Sequence, residues 1–304
     1  MNILITGGLG HIGSKLVREY IKRDDVGVVR ILDNMLVQRY CSLFDLPEVE
    51  GKRYEFIEGD ILNVDDVREA VKDIDVVIHL AAITDAPSTI NNSEETRNVN
   101  YNGVWNLLSA SMNAGVKKFL FPSTTSVYGE AEGIVDEDSS EEVYKPASPY
   151  AEAKRKAEKL LMEVYRENGF NTNTLRMGTI FGTSIGMRFH TAVNKFCWLA
   201  SFGKPLTVWD SALNSKRPYL GLNDNIRAFQ FLEKNGKPGE LYNVVTENYS
   251  IEQMIESIKK VIPDVKIQIT KSPLLNQKPY EVSNEKIRRL GFEFRDSLDE
   301  SVKD

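Results

Sequence analysis

Residues NILIT (2–6) form a short apolar run that passes directly into Gly7, Gly10 and Gly13, with a helical pattern over Gly10 to Asp24. A strand, a glycine turn and a helix in immediate succession constrain this fold more than any other feature. The natural continuation is a crossover to a second, parallel strand. VVRILD (28–33) reads as that strand, and YEFIEGD (54–60) as a third, followed by a helix near Val64–Val71. IDVVIHLA (74–81) is the fourth, apolar nearly throughout, as befits a strand covered on both faces. A helix over Glu94–Ala114 has Ser93 as its N-cap and Gly115 as its stop. KKFLFPS (117–123) is a fifth strand. Ser148 and Pro149 then open a helix that ends at Gly169, and NTNTLRMG (171–178) is a sixth strand. This alternation predicts an α/β fold with a doubly wound parallel sheet.

Beyond about residue 175 the pattern loosens. LTVW (206–209), LYNVV (241–245) and KIQIT (266–270) read as strands, with helices near His190–Ser201, Asp224–Lys234 and Ile251–Val261. The expected organisation is a nucleotide-binding domain over 1–175 and a smaller, irregular α/β lobe over 176–304, with return elements around 215–240. A net charge of −6 argues against nucleic acid as a partner, because a phosphate backbone demands a basic face. Two cysteines and three histidines leave no disulfide framework and no clustered metal site, so no metal is expected. No signal peptide or long apolar run is read, and a cytoplasmic protein is expected.

The glycine turn places backbone N–H groups and a helix N-terminus at one point, which suits a pyrophosphate; a purely structural turn is the plainer alternative. Asp33 ends the second strand 20 residues after Gly13. A carboxylate there accepts hydrogen bonds from an adenosine ribose and repels a 2′-phosphate, which favours NAD over NADP. Asp60 follows the third strand, where an adenine amino group could be met. In SPYAEAK (148–154), Tyr150 and Lys154 share one helix face. A free tyrosine has a pKa of about 10, and lowering it by about 3 units requires roughly 4 kcal/mol. A nearby ammonium favours the phenolate. The hydroxyl-rich turn PSTTSVYG (122–129) offers Thr124, Thr125 and Ser126 to a substrate hydroxyl beside Tyr150. Hydroxyl, tyrosine and lysine above a dinucleotide site describe a hydride-transfer centre.

TGGLGHIG, HLAA (79–82), NVNYNG (98–103), STTSVYG and YAEAK, in this order, resemble the extended short-chain dehydrogenase/reductase family. Within it the match is to the NAD-dependent epimerase/dehydratase group acting on nucleotide sugars. GKPLTVW (203–209), KRPYLGLND (216–224), GELYNVVTENYSI (239–251) and KIRRLGFEF (286–294) are similar to that group's C-terminal landmarks. The resemblance implies a Rossmann NAD-binding domain and a substrate-binding lobe. It implies that Gly7, Gly10, His11, Ile12 and Gly13 line the pyrophosphate and that Asp33 and Asn34 hold the adenosine ribose. Asp60 and Ile61 would flank adenine, Leu80, Ala81 and Ala82 would border the cofactor, and Asn100 would support the region. Tyr150 would be the base, Lys154 would bind the nicotinamide ribose and lower the tyrosine pKa, and Thr124 would be the catalytic hydroxyl. Thr84, Thr124, Thr179, Trp209 and Arg217 would face the nucleotide sugar, with Arg217 on its diphosphate.

The departures from the group's pattern are informative. Thr179 stands where the group's substrate-contacting asparagine is usual, and Thr125 and Ser126 stand where its dehydratases carry Asp-Glu. The arginine segment reads R-P-Y, and NQKPYE (276–281) leaves Lys278 as the cation of the segment before the last strand. The expected activity is C4 epimerisation through a transient 4-keto sugar. A 4-dehydrogenase or 4,6-dehydratase and a nonenzymatic NAD-binding regulator remain alternatives. A homodimer built on the helices at 94–114 and 149–169 is the implied assembly. His79 reads as a packed strand-end histidine, His11 as acting through its backbone, and IVDEDSSEE (134–142) as a solvated loop.

Overall fold

The computed structural model describes residues 1–84, 89, 91–129, 131, 133–271 and 280–304. The expected strands are β1 (Asn2–Thr6), β2 (Val28–Asp33), β3 (Arg53–Glu58), β4 (Val76–His79), β5 (Lys118–Thr124) and, after a short β6 (Gly133–Val135), β7 (Thr172–Met177). Three short strands follow: β8 (Thr179–Phe181), β9 (Leu206–Trp209) and β10 (Arg217–Gly221). Next comes β11 (Leu241–Val244), which returns from the distal half to the edge of the large sheet. The seven-stranded sheet runs β11-β7-β5-β4-β1-β2-β3, and every pairing in it is parallel. Strand order reverses between β1 and β4, so a crevice opens above the C-terminal ends of those two strands.

Helices cover both faces of the sheet. On one side α1 (His11–Tyr20) buries Leu16, Val17 and Tyr20 against Ile3, Ile5, Val29 and Ile31. On the other, α2 (Val64–Ala70) packs with Leu107, Leu108, Leu160 and Leu161 against Leu4, Val77, Phe119 and Phe121. Each fully buried Leu or Phe contributes about 1.5–3 kcal/mol, so the two-sided burial accounts for the continuous apolar runs in the central strands.

The helix read over 94–114 is broken. It consists of α3 (Ser93–Arg97), a π-turn over Asn98–Asn102 and α4 (Gly103–Asn113). Asn92, not Ser93, occupies the N-cap, and Gly115 follows the end with φ +73°. The wide turn accompanies Asn100, whose buried amide accepts from Ile83 N and donates to Ile83 O, both at 2.8 Å. Helix α5 (Pro149–Asn168) is as expected: the Ser148 hydroxyl accepts from Ala151 N at 3.2 Å, and Gly169 closes it in the left-handed region.

The distal half adds α6 (Ala192–Ser201), α7 (Leu222–Asn235), α8 (Ile251–Val261) and strands β12 (Glu247–Tyr249), β13 (Ile267–Thr270) and β14 (Tyr280–Val282). They build three small ladders, β12-β10-β8, β13-β9 and β14-β6. Lys278 lies outside the described residues. Glu137, in the acidic run expected to be solvated, accepts from Asn243 N at 2.6 Å, and burial pushes its carboxyl pKa up.

Helix α5 and strand β7 are joined by a buried ion pair. Arg176 donates to Glu158 through Nε at 2.9 Å and Nη2 at 2.8 Å, with both side chains essentially sealed from solvent. The remaining Arg176 nitrogen donates to the hydroxyls of Tyr128 and Tyr144, each at 2.9 Å. Removing Arg176 takes two hydrogen bonds and the nearest buried cation from the Glu158 carboxylate, and leaves the Tyr128 and Tyr144 hydroxyls without their guanidinium donor. We therefore expect Arg176→Met to lower the unfolding free energy by about 3–5 kcal/mol in urea titrations. A loss under 1 kcal/mol would contradict this account of the pair.

Candidate active site

The crevice is set by close backbone approach. Gly7 adopts φ +65° and its N–H donates to Leu32 O at 2.8 Å; a Cβ there would lie 2.7 Å from Ala81 N. A Cβ on Gly13 would lie 2.5 Å from Gly7 O. The turn thus presses against β1 and the residues after β4, and the N-terminus of α1 faces the crevice. Gly10 caps that helix without a side-chain bond, and its first turn holds no acidic residue. Ile12 is half-buried beside them, and the Arg39 guanidinium reaches to 3.7 Å from the position a Gly10 Cβ would take. Non-glycine residues with positive φ, Met35 and Gln38, bend the loop that delivers Arg39. An uncapped helix N-terminus in a cradle that any side chain would fill, flanked by a guanidinium, fits the pyrophosphate of NAD.

The side of the crevice at the end of β2 is equally ordered. Asp33 accepts from Leu9 N at 3.2 Å and Met35 N at 3.0 Å, so its carboxylate is fixed beside the glycine turn. Asn34 donates to Asp60 at 3.1 Å, and Asp60 also accepts from Leu62 N at 2.8 Å. Ile61 points into the core against Gly103, so only its backbone is offered to the crevice. Leu80 N donates to Thr6 O, Ala81 N to the Thr6 hydroxyl, and Ala82 follows before the segment clamped by Asn100.

Thr124, Tyr150 and Lys154 come together where β5 ends and α5 begins. The Thr124 hydroxyl accepts from Ser126 N at 3.1 Å and stands beside the Tyr150 side chain. Burial raises the Tyr150 pKa; the Arg188 guanidinium and the neighbouring Thr124 hydroxyl pull it back down. The expected source of that cationic support was Lys154. Its ammonium instead donates to Pro122 O at 2.8 Å and lies 4.5 Å from the Phe121 ring centre. Burial brings Lys154 down to about 7, opposed by the charge of Glu158. Arg188 enters from the segment before α6 and donates to the Thr84 hydroxyl. Thr179 opens β8 opposite Tyr219. Arg217 lies over the Tyr280 ring at 4.9 Å, and the Tyr280 hydroxyl donates to Thr125 O at 3.1 Å. Trp209 stands apart, half-exposed at the end of β9 and paired with Thr270.

A family model described as the NAD dependent epimerase/dehydratase family matches residues 3–245. The chain belongs to the NAD dependent epimerase/dehydratase family. Among family relatives, human dTDP-D-glucose 4,6-dehydratase is 30% identical, over 99% of this chain and 87% of its own length. An Arabidopsis thaliana trifunctional UDP-glucose 4,6-dehydratase/UDP-4-keto-6-deoxy-D-glucose 3,5-epimerase/UDP-4-keto-L-rhamnose-reductase is 31% identical over 99% of this chain. The chain spans about half the length of such trifunctional relatives, 46% in that case. The crystal structure of a UDP-glucuronic acid 4-epimerase from Bacillus cereus, in complex with UDP-glucuronic acid and NAD, superposes with a TM-score of 0.88. It is 28% identical, and the match covers 100% of this chain and 97% of that one.

Against that family background, three features were not read from the sequence: Arg188, Arg39 and the use of the His11 ring. His11 was expected to act through its backbone. Its ring is buried, with Nδ1 2.8 Å from the Ser184 hydroxyl and Nε2 3.5 Å from Asn194 Nδ2. Gly186 N donates to the Ser14 hydroxyl at 3.1 Å, which lays the same segment on the glycine turn. Burial, with Arg39, Arg188 and Lys15 nearby, lowers the His11 pKa to about 4. His79 bonds the Thr6 hydroxyl at 2.8 Å between Phe119 and Phe121, and burial lowers it to about 3. Both rings are neutral in the fold, whereas the unfolded chain takes up protons below about pH 6.5. Each histidine therefore withdraws up to about 1.4 kcal/mol of stability per pH unit as pH falls from about 6.5 towards its folded pKa. Urea unfolding between pH 6.5 and 5 should show a shallower decline in His79→Asn than in the parent. Identical slopes would contradict the buried, neutral assignment.

Proposed function

We propose that this protein is an NAD-dependent nucleotide-sugar epimerase that inverts C4 through a transient 4-keto sugar. The observation that carries this reading is the juxtaposition of Thr124, at the end of β5, with Tyr150, in the first turn of α5, at the C-terminal edge of the sheet beside the glycine cradle. NAD bound in that cradle supplies reversible hydride acceptance from the sugar's C4. Tyr150, as phenolate, takes the proton of the C4 hydroxyl onto its own oxygen, and the Thr124 hydroxyl fixes the direction of that transfer. The Arg188 guanidinium favours the phenolate. Arg217 offers a forked donor set to the substrate diphosphate, which anchors the nucleotide while the keto sugar presents its other face. Tyr150 then returns the proton to the C4 oxygen.

Dehydration at C5 and C6 needs a further acid and base. Thr125 and Ser126 occupy the positions after Thr124, and the Thr125 hydroxyl donates to Met177 O at 3.3 Å. The absence of carboxylates at these two positions favours epimerisation, although the relatives include 4,6-dehydratases. A 4-dehydrogenase shares every step up to the keto sugar. The same proposal includes a cofactor-binding unit over 1–175, a substrate lobe over 176–304, a cytoplasmic setting and a homodimer. Trp105, 46% exposed on α4, supports the dimer by standing on the helical face where a second copy would pack. Among the described residues no helix is long and apolar enough to cross a membrane.

Incubation with a panel of nucleotide sugars, with products read by NMR, tests the reading. A C4-inverted sugar is expected; a stable keto or deoxy product would overturn it in favour of the dehydrogenase or dehydratase. Tyr150→Phe should lower turnover about a hundred- to ten-thousand-fold while leaving NAD affinity unchanged.

A further inference from the structure

We propose that Glu158 is a positioning residue that fixes the catalytic helix against the catalytic strand and, from one turn away, sets its negative charge against the Lys154 ammonium. This rests on the assignment of Tyr150 and Lys154 to the reaction given above. Glu158 lies one turn along α5 from Lys154, as Lys154 does from Tyr150. Its carboxylate accepts four hydrogen bonds from three side chains: Ser123 Oγ at 2.5 Å, Arg176 Nε at 2.9 Å, Arg176 Nη2 at 2.8 Å and Arg155 Nη1 at 2.9 Å. Ser123 immediately precedes Thr124 on β5, and Arg176 lies on β7. A single carboxylate therefore clamps the helix of Tyr150 to the strand of Thr124, the two halves of the proton-transfer pair.

The charges around Lys154 give this clamp its second role. From β5 come the Pro122 carbonyl and the Phe121 ring, and from β4 the imidazole of His79, held neutral by burial. From α5 itself comes Glu158, whose charge opposes the loss of the Lys154 proton. Among the described residues no hydrogen bond joins Lys154 to Glu158, so the coupling acts through the field in a low-dielectric interior. Facing Glu158 are Arg155, Arg176 and Ser123. Behind Arg176 stand Tyr128, Tyr144 and Glu137, and behind Arg155 stands Glu141, which also pairs with Lys159. A buried ionic cluster is by itself weak grounds for stability, since apolar packing often serves as well. A carboxylate one turn from a buried ammonium, with its donors on the catalytic strand, gives the cluster a role in the reaction.

The test titrates Lys154 directly. Protein loaded with NAD and labelled with 13C at the lysine Cε is followed by NMR against pH, and Lys154→Arg identifies the resonance. Glu158→Gln should lower the midpoint by about one unit or more, a tenfold fall in the ammonium-to-amine ratio at a given pH. Arg155→Met removes a competing cation from the carboxylate and should raise it. Unchanged midpoints in both variants would overturn the proposal. Should Glu158→Gln fail to fold, a midpoint that does not rise in Arg155→Met overturns it alone. Because no sugar is present, failure of the epimerase reading cannot mimic either result. In turnover, the same Glu158→Gln variant should move the alkaline limb of the pH profile downward; a merely structural role would lower activity equally at every pH.

Discussion

The architecture depends on a near-contact between backbones: Gly7 beside Ala81, and Gly13 beside the Gly7 carbonyl. Were these segments held apart by a methyl group, the N-terminus of α1 would no longer face the ends of β2 and β4. The carboxylate of Asp33 is held to the same turn through Leu9 N, and Asn100 secures the segment beyond β4 from the opposite side. The cradle is therefore built from main chain, with side chains acting as braces. Parallel strands buried on both faces supply the rigid floor it needs.

The central sheet was legible because its strands are short, doubly buried and separated by helices with strong end signals, such as Ser148, Pro149 and Gly169 around α5. The clustering of Thr124, Tyr150 and Lys154 was legible because its signals are local: Tyr150 and Lys154 share a helix face, and Thr124 ends a strand. Two kinds of feature were hidden. The helix over 94–114 scores as continuous by periodicity, yet a side chain that bonds a distant main chain, Asn100 to Ile83, accompanies a π-turn in it. The other kind involves partners far apart in sequence. Nothing in the spacing of Ser123, Glu158 and Arg176 announces that they meet, and Arg188 lies in a segment with no periodic pattern. The small ladders of the distal half suffer likewise, since β8, β10 and β12 are too short for alternation to fix their pairing.

Charge is distributed unevenly. A chain with a net charge of −6 nevertheless gathers Arg39, Arg188 and Lys15 around one imidazole at the crevice. A doubly anionic ligand would find local compensation there, while the rest of the surface repels polyanions. Arg188 belongs to the distal half and yet acts on both Tyr150 and His11, so the field at the reactive oxygen depends on how that half is seated.

The His11 ring, held by Ser184 and Asn194 while its backbone belongs to the glycine turn, carries a thermodynamic obligation. A ligand that draws residues 184–194 towards the turn must, through that ring, alter the free energy of whatever occupies the turn. Linkage requires the reverse effect to have the same size. On the proposed reading, the seats for dinucleotide and sugar would then not be tuned independently by substitutions between 184 and 194. A change there made for the sugar would, on that reading, also shift how tightly the dinucleotide is kept.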